Sequence, residues 1–343
     1  MPGKFRFSFG PWNIHTGADP FGPEVRKPMT FDRKLALYKK LGFDFVQFHD
    51  DDAVPGMNSL TPEQITRQAA VVRRSLAAQG LKAEFVAPRL WEDPRTIDGA
   101  FTSNDAKCRR YARQRSLRCI DIANALGTRL IVLWLAREGT YIREAKDSRA
   151  AVDRLVEAMD EMLAYDPNIR IAIEPKPNEP MDHAYIPTTG HALAVAEKTC
   201  DPDRVGVNIE SAHAILAGLD PSDEMGFALS FGKLWSVHLN DQNGLKFDQD
   251  KTFGSADLRR AFNQVRILDR HGYGQKGEVV GLDVKAMRTQ KAPATQHLTN
   301  SRAMFLRLLE ISRSLDDAKM AAWVQERNYE ELDLYVLRKL TGK

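Results

Sequence analysis

The sequence predicts a parallel α/β protein closed into a (β/α)8 TIM barrel with a short C-terminal helical tail, on three observations. Eight short apolar runs of strand character recur along its 343 residues, each is followed by a longer stretch of helical periodicity, and polar or ionisable residues recur where the runs end. Strands that alternate with helices become parallel, because each crossover helix returns the chain to the same edge of the sheet. Eight such units in about 300 residues favour closure over an open doubly wound sheet. No G-x-G-x-x-G or G-x-x-x-x-G-K run points to a nucleotide fold instead.

The expected strands are residues 5–9, 43–49, 83–87, 129–134, 169–174, 205–210, 234–239 and 279–284. Helix boundaries between them are readable. Thr61-Pro62-Glu63-Gln64 combines an N-cap threonine, a proline at the first helical position and a Gln that can reach back to the cap, and Gly80 supplies a left-handed stop. Gly42, Gly127 and Gly272 end other helices in the same way. A last barrel helix is expected over residues 299–314, which divides the chain into a catalytic barrel, 1–315, and a charged helical tail, 316–343.

Composition narrows the functional classes. Hydrophobic residues make up 43% of the chain, enough for a large core, and the net charge is only +3. Arg109, Arg110, Arg113 and Arg115 cluster within one helical pattern, which reads as a solvated helix face, so no nucleic-acid partner is expected. Cys108, Cys119 and Cys200 have no C-x-x-C spacing and cannot all pair within one chain, which points to buried thiols in a reducing compartment. No apolar run reaches the length of a membrane span and the first residues lack the apolar core of a secretory leader. A soluble, cytoplasmic protein with no membrane partner is the expectation.

In a barrel of this kind the chemistry sits where strands end. Residues 171–180 read Ile-Ala-Ile-Glu-Pro-Lys-Pro-Asn-Glu-Pro, an apolar strand that ends by directing Glu174 and Lys176 to one face while Ile171 and Ile173 pack on the other. Glu174, Glu210, His238 and Asp283 close strands five to eight, and a divalent cation between them would neutralise carboxylates that otherwise repel. Glu210, His213, Asp248 and Asp250 form a second set able to hold another cation close by. A D-x-D pair alone would more often form a turn; joined to the first set it reads as ligands. His238 shares a face with Ser236 and Asn240, opposite Val237 and Leu239, and so points inward with the polar residues.

His49 ends the second strand with Asp52 three residues on, a candidate general acid–base oriented by its carboxylate partner. Asp50 and Asp51 read as a solvated loop. Trp12, Phe21, Trp91 and Trp134 fall at strand ends or loops, where large rings could wall a sugar through its C–H faces and exclude water. Lys176 and Asn208 complete the expected substrate-binding set.

These residues together resemble xylose isomerase. The resemblance rests on Phe48-His49-Asp50-Asp51-Asp52, Trp134 with Arg137-Glu138-Gly139, Glu174-Pro175-Lys176-Pro177-Asn178-Glu179-Pro180, and the run from Asn240 to Asp250, in the same order along most of the chain. It implies an intramolecular oxidoreductase that interconverts an aldose and a ketose with two divalent cations, magnesium, manganese or cobalt. Glu174, Glu210, His238 and Asp283 would form the structural metal site. Glu210, His213, Asp248 and Asp250 would form the catalytic one, with Asp250 orienting a water that takes the hydroxyl proton. His49 with Asp52 would assist ring opening, Lys176 would polarise the carbonyl oxygen, and Phe21 would complete the aromatic cage from a neighbouring subunit. A homodimer or homotetramer is the assembly expected.

Two departures bear on substrate. His238 stands where the family pattern has Asp, which removes a hard oxygen ligand and shifts preference from magnesium toward manganese, cobalt, nickel or zinc. Ala87 replaces a small polar residue and Trp91 a phenylalanine, which shapes the pocket for a different or modified sugar. A hydride-shifting isomerase is therefore the first expectation. A related metal-dependent barrel doing proton transfer, as a ketose epimerase or a lyase on an oxidised sugar, is the second, with His49 or Lys176 as acid–base. A catalytically silent barrel would be expected to lack metal ligands, yet all seven candidates carry ligand side chains.

Overall fold

The computed structural model describes residues 5–244 and 247–342. Its centre is a closed parallel barrel of eight strands: β1 Phe7–Phe9, β2 Phe45–His49, β3 Lys82–Ala87, β4 Leu130–Trp134, β5 Arg170–Glu174, β6 Val205–Glu210, β7 Leu234–Leu239 and β8 Val280–Leu282. Each strand pairs with the next, and closure comes from Phe7 opposite Val280 through Phe9 opposite Leu282. All eight expected strands are present. Five are shorter than the apolar runs, β4 and β5 by one residue and β1, β2 and β8 by two or three; Asp283, one residue past β8, has its carboxylate held by Trp12 and Asn13.

Alternation along each strand sorts side chains to two environments. Ile171 and Ile173 join the large core between strands and helices, while Ala172 faces the barrel interior with Phe85, Ala87, Val132 and Trp235. Gly206 is required there: a Cβ would stand 2.6 Å from the Trp235 ring and 2.7 Å from the Lys233 carbonyl oxygen. Glu84 is also buried in the interior, with its carboxylate accepting from Ser8, from Gln47 Nε2 at 3.3 Å and from Ser236 Oγ at 3.1 Å. Burial pushes that carboxyl above the usual range.

Helix ends follow the sequence signals. Thr61 caps Pro62–Ala78 with a reciprocal Gln64 contact, and Gly42, Gly80, Gly127 and Gly272 all adopt positive φ. The last barrel helix, Gln296–Arg313, begins three residues before the expected start. Beyond it lie two tail helices, Asp317–Gln325 and Tyr329–Thr341. Asp317 meets Arg266 at 3.1 Å and also pairs with Arg270, Asp333 meets Arg259, and Val336 is buried, so the tail is fastened to the barrel. Among the described residues no helix is long and apolar enough to cross a membrane.

Three expectations are corrected: Cys200, expected as a buried thiol, is exposed, and two others concern charged side chains. The arginine cluster on helix Ala106–Leu126 is only partly a solvated face, because Arg115 is buried and grips Asp50 through Nε at 2.7 Å and Nη2 at 2.6 Å. Asp50 is itself fully buried and Asp51 meets Arg115 at 3.2 Å, so these aspartates are not a solvated loop. Their pairing pins the end of β2 onto the helix and thereby fixes where His49 emerges. Arg115→Met should destabilise the fold by about 3–5 kcal/mol in chemical denaturation, because it strands a buried carboxylate. A loss below about 1 kcal/mol, the scale of an exposed pair, would contradict the assignment.

Candidate active site and metal centre

The C-terminal ends of the strands frame a cavity of about 400 Å³ whose lower wall is acidic and whose upper wall is aromatic. The opposite ends frame a larger depression, about 660 Å³, around Arg170 and Trp235. In this fold chemistry belongs to the C-terminal side, and there the candidate ligands converge.

Glu210, at the end of β6, is the common member. Its carboxylate belongs to three sets, Glu174–Glu210–His213, Glu210–His238–Asp283 and Glu210–Asp248–Asp250, and within each the donor atoms lie within 4.8 Å of one another. His238 Nδ1 lies 3.4 Å from Glu174 and 3.7 Å from Glu210, which confirms its inward direction. His213 Nε2 is 3.3 Å from Glu210 and 3.1 Å from Asp248. All seven expected ligands are thus brought together. Asp250 reaches the cluster from a backbone with φ 44°, a left-handed conformation that costs a non-glycine residue about 1 kcal/mol and is held here by a 2.7 Å bond from Lys285 N–H to its carbonyl.

Neighbouring groups aim these ligands. Asn240 Nδ2 donates to Glu210 at 2.9 Å and to Asp250 at 3.0 Å. Trp12 Nε1 and Asn13 Nδ2 donate to Asp283 Oδ1 at 2.9 and 2.6 Å. Asn208, expected to bind substrate, is fully buried beneath the cavity and donates to Glu174 at 2.7 Å. Lys176 lies 2.9 Å from Asp248 and 3.2 Å from Glu179, with its ammonium 5.1 Å from the Trp134 ring centre. Lys285, a half-exposed side chain, pairs with Asp250.

So dense an acidic cluster distorts ionisation. Burial, with Asp248, Asp250 and Asp283 adding repulsion, pushes Glu210 well up against the pull of His238. Asp250 is pushed to about 8 by burial and then by Asp248 and Asp283, with Lys285 opposing. Burial opposes charge on Glu174 also, yet the His238 and His213 imidazoles bring it down to about 2. Lys176 is resisted by burial but held charged by Asp248, Glu179 and Glu210.

Four aromatic or imidazole rings shape the upper wall. Trp12 stacks on His49 at 4.1 Å, Trp91 meets His49 edge-on at 5.0 Å, and Trp91 meets Trp134 at 4.5 Å. His49 Nδ1 lies 3.0 Å from Asp52, and Ala87 lines the same wall. Phe21 is not brought to this cavity; it is 83% exposed and its nearest ring is Phe247 at 6.3 Å. Arg89, which lines the cavity and contacts Asp51, Asp52 and Glu92, was not expected. Its signal was parity, since it follows Phe85 and Ala87 at steps of two along β3. Lys285 stood at a strand end in the sequence but carried no assigned role.

A closed parallel barrel with a candidate metal centre at its C-terminal mouth defines the class. A family model described as xylose isomerase-like TIM barrel matches residues 35–322, and the chain belongs to that family. Among solved structures, it is similar to an L-ribulose 3-epimerase, at 16% identity and TM-score 0.66 over 93% of this chain and 98% of that one. It is also similar to a D-psicose 3-epimerase solved in the presence of D-fructose, at 15% identity and TM-score 0.63 over 88% and 97%. A third similar structure is an IOLI protein with a bound zinc atom, at 15% identity and TM-score 0.62 over 90% and 100%. At these identities the structural likeness shows the fold.

The residues fit a divalent cation on their own chemistry: carboxylate oxygens and imidazole nitrogens converge, and His213 Nδ1, 3.7 Å from Glu174, is buried without a hydrogen-bond partner. The raised carboxyls set the pH dependence. A cation must displace the proton that Glu210 holds, and its charge draws the proton from neighbouring Asp250, so binding releases protons and tightens as pH rises. Calorimetric titration with Mn²⁺ should show affinity increasing with pH from roughly 6 through about 8, the range in which Asp250 loses its proton. Affinity independent of pH across that range would contradict the raised carboxyls.

Proposed function

We propose that the protein is a metal-dependent enzyme that moves a proton on a sugar carbon beside a carbonyl, as a ketose epimerase does, using one divalent cation. The observation that carries this reading is that lysines already occupy half of the acidic cluster. Asp248 is neutralised by Lys176 at 2.9 Å and Asp250 by Lys285, which leaves Glu174, Glu210, His238 and Asp283 for the cation. With both ammonium groups and one dication in place, the five carboxylates Glu174, Glu210, Asp248, Asp250 and Asp283, with Glu179 sharing Lys176, keep a residual negative charge. A second dication would have to displace the lysines. Likeness to two 3-epimerases supports the same chemistry.

A dication bound there supplies the positive charge that stabilises an oxyanion developing on the sugar. Around it, Trp12, Trp91 and Trp134 pack on the sugar's C–H faces and keep water from the reacting carbons. Lys176 stays an ammonium under its acidic neighbours, so it serves as an electrostatic stabiliser or proton donor and not as the base. Proton removal falls to a carboxylate of the ring. Asp52 lies beside His49, and Asn208 positions Glu174. The same abstraction would serve a lyase on an oxidised sugar.

A second reading has its own observation. Glu210, Asp248 and Asp250 place donor atoms within 4.8 Å, and with His213 they would hold a further Mn²⁺, Co²⁺ or Mg²⁺ if the lysines withdrew. That arrangement suits an aldose–ketose isomerase with a hydride shift between C1 and C2, in which Asp250 orients the proton-accepting water.

Further parts of the reading concern setting and assembly. We take residues 1–315 as the catalytic barrel and 316–343 as its tail, and place the protein in the cytoplasm because its three cysteines are free. Exposed Phe21, Phe247 and Met287 support a homodimer or homotetramer.

A panel of ketoses and aldoses, incubated with protein and Mn²⁺ in D₂O and followed by NMR, separates the two readings. Solvent deuterium should appear at the inverted carbon of a ketose product. Conversion of an aldose to a ketose that keeps the C2 hydrogen, now on C1, with no deuterium taken up from solvent would contradict proton transfer and establish the hydride shift.

A further inference from the structure

His49 Nδ1 is approached by two groups, Asp52 Oδ2 at 3.0 Å and Arg89 Nη2 at 2.7 Å. One ring nitrogen can donate to the carboxylate or accept from the guanidinium; it cannot do both. A guanidinium carries only donors and does not lose its proton in proteins, so the shorter contact is a hydrogen bond only when Nδ1 presents its lone pair. Asp52 does not need the ring. Its Oδ2 accepts from the His49 backbone N–H at 3.2 Å and its Oδ1 from Arg89 Nη2 at 3.1 Å.

From this geometry we infer that Arg89 is a positioning residue that holds His49 as the Nε2–H tautomer. His49 then meets a sugar oxygen as a hydrogen-bond donor and is not a base. This differs from the expectation of a general acid–base oriented by Asp52. The proton is fixed by an arginine on the next strand's loop, and the carboxylate holds that arginine.

Arg89 has little freedom to leave. Its Nε donates to Asp51 at 2.8 Å, its Nη1 to Glu92 at 2.9 Å, and its backbone N–H to Asp50 at 3.2 Å, while Asp50 and Asp51 are anchored by buried Arg115. The imidazole is equally confined. Stacking on Trp12 at an interplanar angle of 28° and edge contact with Trp91 at 76° oppose a ring flip that would exchange the nitrogens. A donor tautomer also fits a cavity whose other half is rich in carboxylates able to take a proton.

The inference rests on the reading that this cavity binds the sugar, but its test needs no turnover. Protein labelled with ¹⁵N-histidine and loaded with diamagnetic Mg²⁺ is examined by long-range ¹H–¹⁵N NMR, and His49→Gln identifies the His49 signals among the eight histidines. The expected result is Nε2 in the protonated range and Nδ1 in the unprotonated range. Arg89→Met and Arg89→Gln should reverse the pattern as Nδ1–H turns to Asp52. Protonated Nδ1 in the wild type, exchange-averaged nitrogens, or an Nε2–H form that persists without Arg89 would each overturn the inference. Should both variants fail to fold, the wild-type spectrum decides alone. The inferred tautomer in a protein that converts no sugar would leave this inference standing and sink the proposed function.

Discussion

Electrostatic repulsion among buried carboxylates is the constraint on which the rest of the site depends. Glu174, Glu210 and Asp250 are buried, Asp248 and Asp283 lie beside them, and Glu210 belongs to every candidate ligand set. Charges held that close in a medium less polar than water cannot all persist without compensation. The chain supplies part of it through Lys176, Lys285 and two imidazoles, and with these in place burial and neighbouring carboxylates still push Glu210 and Asp250 upward. A divalent cation would complete it. The same deficit would link metal uptake to proton release, and it holds Lys176 charged.

The barrel makes such a cluster tolerable by distributing it. Glu174, Glu210 and Asp283 arrive from three different strand ends, while Asp248 and Asp250 share one loop and repel each other, and four of the five are aimed by a neighbouring donor: Asn208 for Glu174, Asn240 for Glu210 and Asp250, Trp12 and Asn13 for Asp283. Hydrogen bonds that fix ligand direction matter to a metal site almost as much as the ligands. The aromatic wall is tied into the same scheme, because Trp12 both stacks on His49 and holds Asp283. A second, separate charge network runs from Arg115 through Asp50 and Asp51 to Arg89 and reaches the cavity at His49.

Much of this was legible in the sequence. Apolar runs at regular spacing marked all eight strands, and the period of two along them sent Glu174, Asn208 and His238 inward without any structural information. Glycines at 42, 80, 127 and 272 marked helix stops because their left-handed φ excludes most other residues. What could not be read were pairings between distant positions. His49-Asp50-Asp51-Asp52 resembles a solvated acidic loop until Arg115, 65 positions after Asp50, and Arg89 are seen to fill it. Asn208 was expected against substrate, and only its 2.7 Å bond to Glu174 reveals the support it gives a ligand. Phe21 belongs to the pattern of aromatic residues at strand ends, but its hairpin turns it outward, where only another chain could bring it to a cavity.

The central claim is that the lysines and a single dication together balance the acidic cluster. Metal content per chain tests it directly: protein saturated with Mn²⁺, freed of excess and weighed by native mass spectrometry alongside elemental analysis. One tightly held ion per chain is the predicted result. Two ions per chain, with Lys176 and Lys285 displaced, would contradict the charge balance and restore the two-metal hydride-shift reading.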